Sequence, residues 1–460
     1  MEAFRKAIVL VICGAITLGL ATRVRADSVT IDFESFTLGS INGQGGWSAT
    51  GPYDYGVVDP NTFGNFPGFG TRSFRISNAI TSGSFDWAFS TSLADEAGES
   101  NADNGGFSGG VRQAHFEASF DIATTDPNEQ PGLQISVSPD RGDGARMSFL
   151  RVKDLPGGLT VEFDDYHDNA PFGSSSTLSD GCDPNNDEFV LTTVASGLDR
   201  SVPHRIKLAM DFLEGSRNDV VRVFVDDVLV HTGTSWEDYY RYCTESQPPV
   251  DVSRTVDSLL FQARSGGGTA PGTLGFGFLV DNIDLESGPC PSTPETACQP
   301  AASGRARLQL KTDRLAWKWT ASANVDPNDF GDPLTTTSYP LCLYDTTGVL
   351  LNAEAPADGM CGTRPCWRTH GGAVVDGFKY NDRTGTPGRL GKLVLRSGGP
   401  GRGRIQANPP RRGGTLTLPP LPLAPPVRVQ LHQSDSGACW DATYTNPAKN
   451  DPTRFKAKSD

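Results

Sequence analysis

Residues 203–233, PHRIKLAMDFLEGSRNDVVRVFVDDVLVHTG, constrain the fold more than any other part of this sequence. Within residues 206–211 and 221–226, side chains on one face of an extended chain are apolar and many on the other are polar. A period of two is typical of β-strands that pack one face on a core. Asp226 and Asp227 separate two β-branched runs and predict a tight hairpin turn. The stretch therefore predicts successive antiparallel strands.

The rest of the first 290 residues follows the same pattern. Further strands are predicted at residues 29–33, 73–78, 115–123, 133–138, 146–152, 159–166, 188–195, 256–263 and 276–285. Clusters of Gly, Pro, Asn and Asp separate these strands. No span longer than about ten residues shows helical periodicity. About a dozen strands in one region predict a large two-sheet sandwich.

The start of the chain has the features of a secretory signal. Arg5 and Lys6 precede an apolar run, and Val24-Arg25-Ala26 is a small-residue cleavage pattern. The apolar run is shorter than the ~20 residues that a membrane-spanning helix needs. We expect residues 1–26 to be removed, no transmembrane segment to remain, and the protein to be secreted into the extracellular space, into the periplasm or onto the cell surface.

Charge divides the remaining chain near residue 300. Residues 27–300 carry 15 Lys and Arg against 40 Asp and Glu, a net charge of −25, whereas residues 301–460 carry 21 against 13, a net charge of +8. Such a break predicts two domains, at 27–288 and 303–460, joined by a Pro/Ser/Thr linker at 289–302. The acidic first domain is not expected to bind nucleic acid.

Three segments of the first domain resemble a known fold family: the opening VTIDFESFTLGSINGQGGWS, the hairpin VRVFVDDVLVHTG and the closing FGFLVDNIDLES. Together they resemble secreted domains of the concanavalin A-like lectin/glucanase fold, which include laminin-G-like modules. The resemblance implies an all-β jelly-roll sandwich over about residues 27–288. It implies no single activity, since this fold hosts lectins, adhesion modules, hydrolases and lyases.

The sequence of the second domain also predicts a β-sandwich, smaller than the first. Its segments FGDP, CGTRPCW, GTPGRLGKLVLRSG and ACWDATYT are similar to an uncharacterised C-terminal module of exported bacterial proteins. That resemblance carries no known chemistry.

Eight cysteines remain after signal removal, an even number that predicts disulfides in an oxidising compartment. Their order suggests local pairs: Cys182 with Cys243, Cys290 with Cys298, and Cys342, Cys361, Cys366 and Cys439 among themselves. Other connectivities stay open, and no spacing makes a four-thiolate zinc site.

Candidate catalytic residues lie in the segment EFDDYHD. A retaining glucanase of this fold would carry two glutamates flanking an aspartate on one strand. Here Glu162 and Asp164 share a strand face about 6.6 Å apart, near the separation that retaining hydrolysis needs. Tyr166, or His167 after a bulge, occupies the position of the second glutamate. A groove-lining or solvated strand face is the alternative.

Two loops are candidate binding sites. Asp183, Asn185 and Asp187 space oxygen ligands as Ca²⁺ requires, or form a turn held by Cys182. The run Trp236, Glu237, Asp238, Tyr239 and Tyr240 combines rings with carboxylates, which suits sugar stacking and hydroxyl recognition, or else plugs one end of a sheet.

These observations lead to three functional hypotheses. The first is a secreted, non-catalytic module that binds carbohydrate or another extracellular polymer. It is expected to require no cofactor, and Ca²⁺ is a candidate ion at its rim. The second is a polysaccharide-cleaving hydrolase or lyase using Glu162, Asp164 and His167. The third is a structural cell-surface protein without a small ligand.

Overall fold

The structure is a computed structural model. It describes residues 28–460 except 51–53, 65, 67, 78–86, 94–112, 141–145, 168–187, 214–216, 243–255, 264–275, 313, 373, 383–389, 411–415, 417 and 435–437. The predicted signal peptide, the loop with Asp183, Asn185 and Asp187, and the cysteines Cys182 and Cys243 lie outside the described residues.

The first domain contains sixteen described strands, one short α-helix and one 3₁₀ turn at Pro60–Thr62. The strands are β1 Ser28–Ile31, β2 Gly39–Ser40, β3 Ser48–Ala49, β4 Asp54–Val58, β5 Ser73–Ser77, β6 Ala88–Phe89, β7 His115–Thr124, β8 Gln134–Asp140, β9 Phe149–Leu155, β10 Gly158–His167, β11 Glu188–Leu198, β12 His204–Asp211, β13 Val220–Val225, β14 Val228–Gly233, β15 Ser258–Ala263 and β16 Phe278–Gly288, and the helix is α1 Glu237–Tyr242.

Two antiparallel sheets form this domain. The nine-stranded sheet has the order β14-β13-β12-β7-β16-β5-β4-β2, with β1 also paired to β16, and the seven-stranded sheet has the order β11-β10-β9-β8-β15-β6-β3. Alternate apolar side chains from both sheets meet in one core, among them Ile206 and Leu208 from the first sheet and Val137 and Phe261 from the second. This two-sheet arrangement is the all-β jelly-roll sandwich that the sequence predicts.

The Asp226-Asp227 turn joins β13 and β14 as the alternation predicts. Both aspartates have positive φ, 49° and 63°, the backbone of a type I′ hairpin turn. Val225 pairs with Val228 on either side of it. The segment over residues 203–233 thus forms β12, β13 and β14 at one side of the larger sheet.

The second domain contains fifteen described strands and a 3₁₀ turn at Pro327–Phe330. They are β17 Gln299–Pro300, β18 Arg307–Lys311, β19 Arg314–Thr320, β20 Tyr339–Asp345, β21 Gly348–Ala355, β22 Met360–Cys361, β23 Arg364–Pro365, β24 Trp367–His370, β25 Gly377–Asn381, β26 Lys392–Arg396, β27 Arg404–Asn408, β28 Val427–His432, β29 Cys439–Tyr444, β30 Lys449–Asp451 and β31 Arg454–Lys458.

These strands form a second, smaller sandwich. A five-stranded sheet, β17-β29-β28-β20-β21, packs against an eight-stranded sheet, β24-β25-β26-β27-β19-β18-β31-β30, and β22 with β23 makes a separate hairpin. Its core contains the buried indoles of Trp317, Trp319, Trp367 and Trp440. The end of the predicted linker is part of this fold, because β17 pairs in parallel with β29.

Three disulfides connect the described cysteines: Cys290–Cys342, Cys298–Cys439 and Cys361–Cys366. The expected pair of Cys290 with Cys298 is therefore wrong, and so is a pairing of Cys342 and Cys439 within the second domain alone. Both linker cysteines instead bond to strands of the five-stranded sheet, β20 and β29. The physical reason is that the linker lies along this sheet and does not loop back on itself.

A hydrogen-bonded carboxylate holds the other end of the linker. Asp211 at the end of β12 accepts hydrogen bonds from Ser292 N at 2.7 Å and Ser292 Oγ at 2.6 Å, and pairs with Arg222 Nη1 and His115 Nδ1, each at 2.8 Å. Burial alone would raise the pKa of Asp211, but the hydrogen bonds from His115 and Ser292 lower it to about 2.

No helix among the described residues is long and apolar enough to cross a bilayer.

Candidate functional site

A row of polar side chains crosses the outer face of the seven-stranded sheet, the face opposite the shared core. Strand pairing places Gln262 beside Ser136, Ser136 beside Arg151, Arg151 beside Glu162, and Glu162 beside Thr193. The residues between them in sequence, such as Val137, Leu150 and Phe163, point into the core. Because successive side chains of a strand point to opposite faces, the polar set shares one side. We call it the polar face: Gln134, Ser136, Arg151, Lys153, Glu162, Asp164, Thr193 and Gln262.

Four members of the polar face form two diagonal ion pairs. Lys153 Nζ lies 2.7 Å from Glu162 Oε2, and Arg151 Nη2 lies 2.7 Å from Asp164 Oδ2. Glu162 is only 9% exposed and Asp164 5% exposed, so both pairs are recessed from solvent. Each of these buried carboxylates therefore lies within ion-pair distance of a cation on the neighbouring strand.

Other members of the polar face have hydrogen-bonding groups for which no partner is found among the described residues. No hydrogen bond of the Gln134 or Gln262 side-chain amide is found among the described residues. Ser136 Oγ is fully buried and also has no partner there. A buried polar group without a partner costs free energy, which a bound ligand with its own donors and acceptors would recover. These amides and this hydroxyl are buried beside the two ion pairs, with Gln134 9% exposed, Gln262 4% and Ser136 0%.

An apolar platform borders the polar face on the edge strand β11. Phe189 and Leu191 are 46% and 42% exposed, and they face outward beside Tyr166 and Asp164. The Phe189 ring packs on Trp236 at 4.5 Å between centroids and on Tyr239 at 5.2 Å. Packing on one side and exposure on the other leave an open aromatic surface at the end of the polar row.

The aromatic run at residues 236–240 packs against this platform. Trp236 and Tyr240 are 5% and 7% exposed, Trp236 Nε1 donates to the Asp164 carbonyl oxygen at 2.7 Å, and Tyr240 Oη accepts from Arg146 N at 3.0 Å. Glu237 is buried as well, and Asp238 Oδ2 accepts a hydrogen bond from Arg217 N at 2.7 Å. This burial favours the sheet-end plug over direct sugar stacking by Trp236, and a ligand-binding role for the run stays a prediction.

The proposed catalytic trio does not converge. The pairing of β10 with β11 is regular from Glu162 to His167, and its register shifts lie before Glu162. Without a bulge near Tyr166, His167 points to the opposite face from Glu162 and Asp164. The expectation that His167 could join the two carboxylates is therefore wrong, since the irregularity falls at the other end of the strand.

A second carboxylate–histidine pair lies on the core side of the same strand. Asp165 Oδ2 is 2.9 Å from His231 Nε2 of β14, and Asp165 Oδ1 accepts from Thr234 N at 2.7 Å. The His231 ring also packs on Phe163 at 5.4 Å. The pair thus connects the two sheets behind the polar face and fixes the end of β10.

Metal ligands are limited in the described part of the chain. Glu295, Cys298, His432 and Cys439 place one ligand atom each within 4.8 Å of one another. The two sulfurs are bonded to each other in the Cys298–Cys439 disulfide, so neither is available as a thiolate. The predicted Ca²⁺ ligands Asp183, Asn185 and Asp187 lie outside the described residues, and calcium binding stays a prediction.

Several residues of the polar face were not singled out from the sequence. Gln134, Ser136 and Gln262 alternate with Ile135, Val137 and Phe261 on their strands, so the pattern contained their orientation. Their assembly into one row needed the order β15-β8-β9-β10-β11, which pairs distant segments. The sequence also contained a signal for Phe189, which lies between the charged Glu188 and the apolar Val190 at the start of a predicted strand.

No protein-family model and no curated protein sequence matches this chain. Among solved structures, it is similar to an endo-β-1,4-glucuronan lyase from the fungus Trichoderma reesei, with 12% identity, a TM-score of 0.30, and coverage of 58% of this chain and 95% of that one. A carbohydrate-binding module, CBM66 from Bacillus subtilis, has 10% identity, a TM-score of 0.26, and coverage of 54% and 100%.

A third similar structure, BuGH16Bwt, has 11% identity, a TM-score of 0.28, and coverage of 56% of this chain and 90% of that one. Because all three TM-scores are 0.30 or lower, the fold is assigned from the sheet order of this chain and not from these structures. The chain is an all-β protein with a two-sheet jelly-roll sandwich and a second, smaller β-sandwich.

Proposed function

We propose that the first domain is a non-catalytic glycan-binding module whose ligand lies along the polar face. Sugar hydroxyls act as both donors and acceptors, and the polar face offers both kinds of group in a recessed row. The aromatic platform at Phe189 suits the apolar face of a sugar ring. The observation that carries this proposal is that the side-chain amides of Gln134 and Gln262, beside the buried Ser136 hydroxyl, have no hydrogen-bond partner among the described residues.

Binding is favoured over cleavage by the contacts that the two carboxylates already make. Hydrolysis needs one carboxylic acid to donate a proton and a second to act as base or nucleophile. Glu162 and Asp164 are instead each held in an ion pair, with Lys153 and Arg151 respectively. With His167 on the opposite face, the described part of the strand offers only Tyr166 as a further acid or base on this face, and its ring packs against Phe189 and Tyr239.

A glycan array probed with the secreted protein, with Ca²⁺ and with EDTA, tests the proposal. We expect binding to a defined class of glycan and no release of reducing ends or unsaturated products from the bound glycan. Gln134→Ala combined with Gln262→Ala should weaken binding about tenfold, because each lost hydrogen bond is worth roughly 0.5–1.5 kcal/mol. Loss of binding only in EDTA would support the calcium prediction.

Phe189→Ala should weaken binding by a similar factor while changing stability little. Leu229→Ala is the matched control, because Leu229 is a 50% exposed apolar residue on the edge strand of the other sheet. An array without any binding would overturn the proposal. The remaining hypothesis would then be a structural protein without a small ligand. Cleavage that Glu162→Gln abolishes would replace binding with hydrolysis or elimination.

A further inference from the structure

The outer face of the eight-stranded sheet in the second domain is strongly cationic. Its strands turn Leu308, Trp317, Ile405 and Phe455 inward to the core, and the alternate positions face outward. One registered row on that side contains Lys458, Arg307, Lys318, Lys379 and Arg368, with Gln406 and Val394 in its middle. We call this side of the sheet the cationic face.

Like charges lie directly opposite one another on this face. Arg307 pairs in register with Lys458 on one side and Lys318 on the other. Arg396 is opposite Arg404, and Lys379 is opposite Arg368. Directly opposed like charges on neighbouring strands are destabilising. A soluble fold has no structural need for such an arrangement, since alternating signs would stabilise the same sheet.

Few carboxylates compensate these cations. Asp376 pairs with His370 and, at 3.3 Å, with Arg396 at one edge of the face. No carboxylate of the described residues lies within ion-pair distance of Arg307, Lys318, Lys379 or Arg404. The repulsion is therefore left for a ligand to relieve.

A cavity of about 590 Å³ opens on the same face. Basic side chains predominate in its lining, with Arg305, Arg307, Lys318, Lys379, Lys392 and Arg404 among them. The row from Lys458 to Arg368 crosses six inter-strand steps, a length of roughly 29 Å at ~4.8 Å per step. A single small anion would contact one or two of these cations, whereas an extended polyanion can contact the whole row.

We propose that the cationic face binds an acidic polysaccharide, a linear glycan with carboxylate or sulfate groups. Single-stranded nucleic acid is disfavoured because its binding sites combine cations with exposed rings for base stacking. The one aromatic residue among the described residues that line the cavity, Trp319, is 1% exposed. This site is separate from the polar face of the first domain and takes a charged glycan regardless of what the polar face binds.

Affinity measurements with the full chain test the proposal. Heparin and polygalacturonate are the sulfated and carboxylated probes, dextran is the neutral probe, and a single-stranded DNA oligonucleotide is the competing polymer. We expect binding to at least one acidic polysaccharide, no binding to dextran at this face, and a steep loss of affinity as salt rises. Cations that neutralise a polyanion release its condensed counterions, which makes the affinity salt-dependent.

Charge reversal locates the site. Lys318→Glu with Lys379→Glu should weaken binding more than about tenfold and make the salt dependence shallower, and each new carboxylate gains an adjacent cation, so folding is retained. Arg364→Glu is the control, because Arg364 is exposed on the separate β22–β23 hairpin. The isolated Lys318→Glu change provides the equal-charge comparison with Arg364→Glu.

Each outcome decides the proposal. Equal weakening by Lys318→Glu and Arg364→Glu would reduce the effect to net charge and overturn the site, as would binding of dextran that these changes alter. Tighter binding of DNA than of both acidic polysaccharides would replace the ligand class. Phe189→Ala is expected to leave heparin binding unchanged, so failure of the glycan site on the first domain would not be mistaken for failure here.

Discussion

Asp281 is a buried carboxyl at the point where β16 loses register with β7. It accepts hydrogen bonds from Ser73 Oγ at 2.6 Å and Asn282 N at 2.7 Å. Burial raises its pKa to about 7, and the nearby charges of Glu34 and Asp121 add to the effect. Its protonation therefore changes within the neutral range.

This carboxyl should make the protein less stable as the pH rises. Because the pKa is higher in the folded than in the unfolded state, the proton favours folding, and stability falls from about pH 4 to about pH 7. The full effect is on the order of 4 kcal/mol. Asp281→Asn should raise the free energy of unfolding at pH 8 and flatten its pH dependence, as measured by urea denaturation followed through tryptophan fluorescence.

The control for this prediction is Asp32→Asn, which alters an exposed carboxyl of the same domain. An unchanged slope of stability against pH in Asp281→Asn would contradict the assignment of the titration to this group.

Single residues were predictable from sequence where alternation decided them and not where backbone irregularity did. Glu162 and Asp164 share a face as period two requires. The position of the irregularity before Glu162 decided the orientation of His167, and no residue type in EFDDYHD marks it. The cations that pair with the two carboxylates lie on β9, which forms a hairpin with β10, but their diagonal contacts depend on the register of that hairpin.

The turn of the β13–β14 hairpin also makes side-chain contacts with the neighbouring strand β12. Asp226 Oδ1 accepts from Arg205 N at 3.0 Å, and Asp226 Oδ2 lies 2.8 Å from His204 Nδ1. Asp227 is exposed at a φ of 63°. The two aspartates thus share a backbone conformation but differ in their contacts.

Asp227→Gly should stabilise the protein by about 0.5–1 kcal/mol, because glycine adopts positive φ without the steric cost that other residues pay. Asp226→Gly relieves the same strain but removes the acceptor for Arg205 and His204, and we expect a net loss of stability. Thermal unfolding of the two variants side by side measures the difference. Equal shifts of Tm would show that side-chain contacts at Asp226 contribute nothing.

At this scale the strands were the most predictable part of the fold. Those predicted at residues 115–123 and 159–166 are observed as His115–Thr124 and Gly158–His167. The neighbours of β10 are the strands next to it in sequence, whereas those of β7 were not predictable, because β7 pairs with β12 and β16 far along the chain. The polar face and the cationic face both depend on such pairings, which is why neither emerged from local patterns.

The whole molecule is held together at its linker by covalent and polar contacts. Cys290–Cys342 and Cys298–Cys439 bond the linker to the second sandwich, and Asp211 binds Ser292 from the first. The sequence indicated disulfides through the even number of cysteines, but order alone suggested local pairs. Partners 52 and 141 residues apart are set by where the linker lies in space.

Removing the Cys298–Cys439 bond with Cys298→Ala and Cys439→Ala should cost more stability than removing Cys361–Cys366. The two bonds span 141 and 5 residues. Chain-entropy arguments give losses of about 5 and about 2 kcal/mol, since a longer loop gains more freedom on unfolding. Equilibrium denaturation of the two double variants tests this, and a larger loss for Cys361–Cys366 would contradict it.

The linker disulfides also decide how mechanical load passes through the molecule. Tension applied between the first domain and Asp460 follows the chain to Cys298, crosses the bond to Cys439 and continues along residues 440–460. Residues 299–438, which include most of the second sandwich and nearly all of its cationic face, lie off that path. A protein tethered by one domain and pulled through the other would transmit force past most of this surface, and of its strands only β30 and β31 lie on the path.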